Sequence, residues 1–272
     1  MQVQHQSPGI LVFQSALFQT TTTVIDTPDL VLVIDPNWLP EEIANIRNHV
    51  AKVRQGKPLY LLFTHSDYDH IIGYNAFPGA TCIASRAFVQ NPEKAAVLQQ
   101  IRDFDDEYYI RRDYAIAYPL IDIEIEKDGQ VLQVGDTEIT FWLAPGHNPD
   151  GLFAFVKTGN FFIVGDYLSD VEFPYIYYSS VEYEKTILKA DEIIKTYQPK
   201  YLIPGHGHVT DSTVEMHQRI VDSGDYILDL RKHLQQGTTF PLDQLLARYH
   251  FPKIMTKFHE GNIALMQKEL GN

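Results

Sequence analysis

Short apolar runs recur along the first third of the chain, each closed by polar or turn-forming residues. Ile10-Leu11-Val12-Phe13 and Leu30-Val31-Leu32-Val33-Ile34 predict strands, joined through Thr20 to Thr23 and a turn around Asp26-Thr27-Pro28-Asp29, so a hairpin is expected to open the fold. Asp35-Pro36-Asn37-Trp38 ends the second strand. Pro40, Glu41 and Glu42 then open a helix in which Ile43, Ile46 and Val50 keep helical spacing to near Arg54. Leu59-Tyr60-Leu61-Leu62-Phe63 contains no Pro or Gly and reads as a buried strand, which completes a βαβ unit. A short helix over Ile71 to Asn75 and a buried strand over Thr81 to Ala84 continue the alternation.

Residues 86 to 118 break the rhythm. Val97, Leu98, Ile101 and Phe104 lie at helical spacing and precede a stretch rich in Tyr and Arg, which predicts a helical insertion. From Ile121 the pattern becomes a meander of short strands through Ile139 to Leu143, Leu152 to Val156 and Phe161 to Val164, with turns at Asp128-Gly129, Gly135-Asp136 and Thr158-Gly159-Asn160. A helix over about 181–196, the strand Tyr201-Leu202-Ile203 and a helical extension over about 212–270 follow. Two halves, each sheet plus helix, predict an α/β fold of the four-layer αββα type, read as a single domain over residues 1–272.

Composition narrows the chemistry. The chain holds 22 basic and 35 acidic residues, for a formal charge of −13, which argues against a nucleic-acid partner. Its single cysteine, Cys82, excludes an internal disulfide and a Cys-rich zinc site, so any metal must be held by His and carboxylate. The N-terminus lacks a basic region followed by an apolar one, and no apolar run approaches the roughly 18 residues of a membrane span. These features point to a soluble, cytoplasmic protein.

The run Leu59 to Phe63 leads directly into Thr64-His65-Ser66-Asp67-Tyr68-Asp69-His70, where four potential ligands fall within six residues. Crowded carboxylates resist desolvation unless cations neutralise them, and neutral imidazoles serve as further donors. Three later strand ends repeat the arrangement of apolar run, glycine and ligand: Leu143-Ala144-Pro145-Gly146-His147, Phe162-Ile163-Val164-Gly165-Asp166 and Leu202-Ile203-Pro204-Gly205-His206. His208 is the alternative to His206, although the Pro-Gly-His-Gly context favours His206.

In these motifs the sequence resembles the metallo-β-lactamase superfamily, whose loop reads His-x-His-x-Asp-His and is followed by a single His, a bridging Asp and a final His. The resemblance spans roughly residues 10 to 210. It implies that His65 and His147 bind a first metal, that Asp69, His70 and His206 bind a second, and that Asp166 bridges them. Asp67 stands where the usual pattern has its second histidine. The flavodiiron members are similar in having a carboxylate there, and a hard oxygen ligand moves preference from zinc toward iron or manganese. Asp35, also at a strand end, is expected to support the ligand loop from behind.

The resemblance implies two divalent ions, with zinc the leading choice and iron or manganese the alternatives. The expected reaction is hydrolysis by metal-bound hydroxide of a small ester, thioester, lactone or related substrate, with Asp69 orienting the nucleophile or managing its proton. The alternatives are a non-haem iron redox protein and a metal-stabilised binding protein without catalysis. Phe173, Tyr175, Tyr177 and Tyr178 are expected to form an aromatic substrate rim, with core packing as the competing role.

Overall fold

The computed structural model describes residues 1–271. Strands β1 (Gln2–Ser7), β2 (Ile10–Gln14), β3 (Thr21–Asp26), β4 (Val31–Ile34), β5 (Leu59–Leu62), β6 (Thr81–Ser85) and β7 (Ile123–Ile125) form a seven-stranded sheet in chain order. Strands β8 (Gln130–Val134), β9 (Thr137–Leu143), β10 (Leu152–Val156), β11 (Phe161–Ile163) and β12 (Tyr201–Ile203) form a five-stranded sheet in the order β12-β11-β10-β9-β8.

Strand periodicity explains how the layers stack, because alternate side chains leave opposite faces. In β4, Val31 and Val33 face α1 (Pro40–Arg54) through its Ile43, Ile46 and Val50, while Leu32 and Ile34 face the other sheet. In β10, Leu152, Ala154 and Val156 fill the space between the sheets, and Phe153 and Phe155 pack under α5 (Ser180–Tyr197). Both faces of these strands are covered, and the architecture is the four-layer αββα fold. The βαβ unit is present as expected, with β4 and β5 parallel.

The opening hairpin is corrected. Thr21 to Asp26 is itself a strand that separates β2 from β4, and Gln2 to Ser7 forms a further edge strand. The run Thr21 to Thr23 was too polar to register as strand, yet these threonines are buried. Thr21 Oγ1 donates to the Pro204 carbonyl at 2.6 Å and Thr22 Oγ1 to the Asp35 carbonyl at 2.8 Å, which removes the cost of burying them. The predicted helix at Ile71 begins earlier, as α2 (Tyr68–Ile71), followed by a 3-10 turn over Tyr74–Ala76.

Residues 86–118 carry α3 (Arg86–Gln90) and α4 (Lys94–Glu107). The C-terminal part carries α6 (Thr213–Gln236), α7 (Leu242–Leu246) and α8 (Pro252–Glu269). Among the described residues, no helix is long and apolar enough to cross a membrane.

Candidate metal centre

Four strand ends converge at one edge of the sandwich. The turn after β5 supplies His65 to His70, and the ends of β9, β11 and β12 supply His147, Asp166 and His206. The two sheets are tied there by the Leu152 N–H, which donates to the Thr64 carbonyl at 2.7 Å, and by the Thr21 N–H, which donates to the Gly205 carbonyl at 2.7 Å. Gly146 precedes His147 with φ +141°, and a Cβ on it would lie 2.4 Å from the Tyr183 Cα of α5. Only glycine lets the loop pass this close to the helix.

All seven predicted residues come together, in two groups: His65, Asp67, His147 and Asp166, then Asp69, His70 and His206. Asp166 stands between them. Its Oδ2 lies 3.5 Å from the Nε2 atoms of both His65 and His147 and 3.4 Å from His206 Nε2. Its Oδ1 lies 3.1 Å from His70 Nε2. Asp67 Oδ2 sits 3.1 Å from His147 Nε2, and Asp69 Oδ2 sits 3.6 Å from His206 Nε2.

Each histidine is oriented through its other nitrogen. His147 Nδ1 donates to the Tyr175 carbonyl at 2.6 Å, and His206 Nδ1 donates to the Phe18 carbonyl at 3.0 Å. His70 Nδ1 meets Asp35 Oδ2 at 3.0 Å. Thr64 Oγ1 donates to the same carboxylate at 2.5 Å and therefore accepts from His65 Nδ1 at 2.9 Å. Carbonyls and carboxylates only accept, so the Nδ1 protons are committed and every Nε2 atom faces the centre, where it offers a lone pair once the ring is neutral. Asp35 holds the Thr64 N–H, the Thr64 hydroxyl and His70 from a left-handed position at φ 49°.

The electrostatics are those of a cation site. Burial disfavours charge on His147 and His206, but Asp67 and Asp166 lift the first to about 9, and Asp166 and Glu172 lift the second to about 10. Burial also opposes ionisation of Asp67, yet the hydrogen bond from His147 and the charge of His65 pull it down to about 2. Asp69 is held above the ordinary carboxylate range, chiefly by burial. His65 Nε2 and Asp166 Oδ1 are buried with no hydrogen-bond partner among the described residues. A buried polar atom left unpaired costs about 1–3 kcal/mol, a cost that a bound cation removes, so the donor set fits divalent metal.

The centre forms the floor of a cavity of about 260 Å³. Phe173, Tyr175 and Tyr177 line it, together with Phe18, Trp38 and Phe258. Tyr178 is corrected: it is absent from the lining and exposed, and its backbone N–H bonds the Gly146 and His147 carbonyls. His208 also stands apart from the ligand groups, its Nδ1 2.8 Å from Asp170 Oδ2. Glu172 was missed by sequence reasoning. Its carboxylate lies 3.7 Å from His206 Nδ1 and is pushed up to about 7 by burial. An acid flanked by Val171 and Phe173 was the available signal.

The sequence profile of the Metallo-beta-lactamase superfamily matches residues 16–206. No curated protein matches the chain. Among solved structures, the stereoselective inverting sec-alkylsulfatase Pisa1 from Pseudomonas sp. superposes with a TM-score of 0.71 at 15% identity, covering 98% of this chain and 50% of its own. The chain thus spans about half the length of that sulfatase. A metallo-beta-lactamase family protein from Thermus thermophilus gives a TM-score of 0.67 at 15% identity, covering 97% of this chain and 95% of its own. Rubredoxin oxygen:oxidoreductase from Desulfovibrio gigas gives 0.57 at 13% identity, covering 95% and 75%. With a profile match over more than half its length and its ligand candidates gathered at one edge of an αββα sandwich, the chain belongs to the metallo-β-lactamase superfamily.

Proposed function

We propose that the protein is a dinuclear-metal hydrolase of small ester, thioester, lactone or related substrates. The observation that carries this reading is the placement of Asp166 between two ligand groups whose four histidines all bring Nε2 within 3.5 Å of its carboxylate. His65, Asp67, His147 and Asp166 would hold one ion, and Asp69, His70, His206 and Asp166 the other. When bound, such a pair supplies Lewis acidity and lowers the pKa of water to near neutrality. Zinc is the leading metal, with iron and manganese accommodated by the carboxylate-rich donor set.

The chain's own residues do the rest. Asp69 opens to the cavity from the floor, placed to orient the attacking water or carry its proton. Trp38, Phe173, Tyr175 and Phe258 wall the cavity with apolar surface, which excludes bulk water and favours a substrate with an apolar body. The test is reconstitution of the metal-stripped protein with zinc, manganese or iron and assay against esters, thioesters, lactones, phosphodiesters and, given the sulfatase likeness, sulfate esters. Turnover with redox-inert metal supports hydrolysis, and no turnover of any class with a fully loaded centre rejects it.

A redox reading is favoured by one feature, the Asp67 carboxylate in place of histidine. The likeness to rubredoxin oxygen:oxidoreductase adds to it. Oxygen consumption confined to the iron-loaded protein would establish it in place of hydrolysis.

A further inference from the structure

The loop that orients His147 is held from outside the centre. Tyr175 offers its carbonyl to His147 Nδ1 at 2.6 Å, and two residues on the Tyr177 N–H donates to the His147 carbonyl at 2.6 Å. The peptides on either side of Tyr175 are clamped by one side chain of α8. Asn262 Oδ1 accepts from the Ile176 N–H at 2.9 Å, and Asn262 Nδ2 donates to the Pro174 carbonyl at 2.7 Å. Nδ2 also donates to the Tyr226 hydroxyl at 2.8 Å. Asn262 is fully buried. The Tyr175 ring lies flat on Phe258 of the same helix, centroids 4.0 Å apart at 12°.

We propose that Asn262 is a positioning residue for the first ligand group: by holding Pro174 and Ile176 it fixes the Tyr175 carbonyl and, through it, the direction of His147 Nε2. The inference rests on the metal-centre reading. It is selective, because the second group's rings are oriented elsewhere, His70 by Asp35 and His206 by Phe18 and Thr20. The C-terminal helix, outside the profile match at 16–206, thereby becomes part of the metal apparatus.

Stepwise cobalt(II) titration of the metal-stripped protein, followed by absorption spectroscopy, tests this without reference to activity. Changes behind a metal-bound histidine typically weaken binding by about 10–100-fold, and one residue further out about tenfold is expected. Asn262→Ala and the near-isosteric Asn262→Asp should weaken one cobalt step by about that factor and leave the other within about threefold. Tyr226→Phe removes the hydroxyl on the far side of the same amide and should change neither step. Equal loss of both steps, loss of neither, or the same selective loss in Tyr226→Phe overturns the proposal in favour of plain packing. If neither Asn262 variant folds, Gly261→Ala takes their place: its new methyl meets Tyr175 Cε2 at 3.1 Å while the exchange favours the helix. Selective weakening there supports the proposal, and two unchanged steps overturn it. A parent protein that binds no cobalt rejects the metal-centre reading itself.

Discussion

Gly205 lies against Asp166: a Cβ on the glycine would come within 2.3 Å of Asp166 Oδ1 and 2.9 Å of His70 Cε1. The carboxylate that lies between the two ligand groups therefore owes its position to a missing side chain at the end of the neighbouring strand. Gly205→Ala should displace that carboxylate and lower the content of both metals, with the strand beneath it intact. Elemental analysis alongside circular dichroism checks this, and full metal content in the variant would show that the Asp166 side chain can move aside.

Asp166→Ala and His147→Ala separate the proposed bridging residue from a one-group residue. Loss of Asp166 should reduce both metals, and loss of His147 mainly one. Two metals per chain in Asp166→Ala, as in the parent, would remove the bridging assignment.

Asp67→His exchanges a hard oxygen for an imidazole nitrogen beside His147, so zinc occupancy should rise at the expense of iron and manganese. The check is the metal profile of protein purified without added metal. An unchanged profile would mean that residue 67 does not bind the ion.

The aromatic wall divides by burial. Phe173 is 2% exposed and lies 4.5 Å from the Tyr226 ring, centroid to centroid, so Phe173→Ala should cost about 3–5 kcal/mol in denaturant unfolding. Tyr177 is 52% exposed, and Tyr177→Ala should change substrate preference with a stability change of about 0.5 kcal/mol or less. The reverse ranking would exchange the two roles.

His259 gives the fold a pH dependence independent of the ligands. It is buried, its Nδ1 lies 3.1 Å from the Tyr226 hydroxyl, and burial holds its pKa below the ordinary 6.5, against a weaker upward pull from Glu260. The unfolded chain binds this proton more readily. The contribution of neutral His259 is therefore complete above pH 6.5, falls as pH drops toward the folded pKa and levels off beneath it. Melting temperatures measured from pH 8 to 5 should fall less steeply for His259→Gln than for the parent. Parallel curves would place the proton elsewhere.

The candidate ligands were legible because their signal is local: each follows an apolar strand, and Gly146, Gly165 and Gly205 mark where the backbone must turn or pass close to a neighbour. The βαβ unit was legible for a similar reason, since Ile43, Ile46 and Val50 repeat at helical spacing after Pro40. The groups that orient the centre carry no such mark. Phe18 and Tyr175 act through backbone carbonyls, which any residue offers, and Asn262 reaches Pro174 across 88 positions of chain. Strand β3 was hidden by its threonines, whose hydroxyls are satisfied only by partners that the fold brings near.

Both ligand groups draw on both sheets. Asp67 and His65 come from the first sheet and His147 and Asp166 from the second, and the other group pairs Asp69 and His70 with His206 in the same way. The exposed turn at Lys127 to Gly129 is the point where the chain passes from β7 to β8. A chain cut there would yield two fragments, each with its own sheet and neither with a whole ligand group, so metal uptake would report their reassociation as a complementation signal.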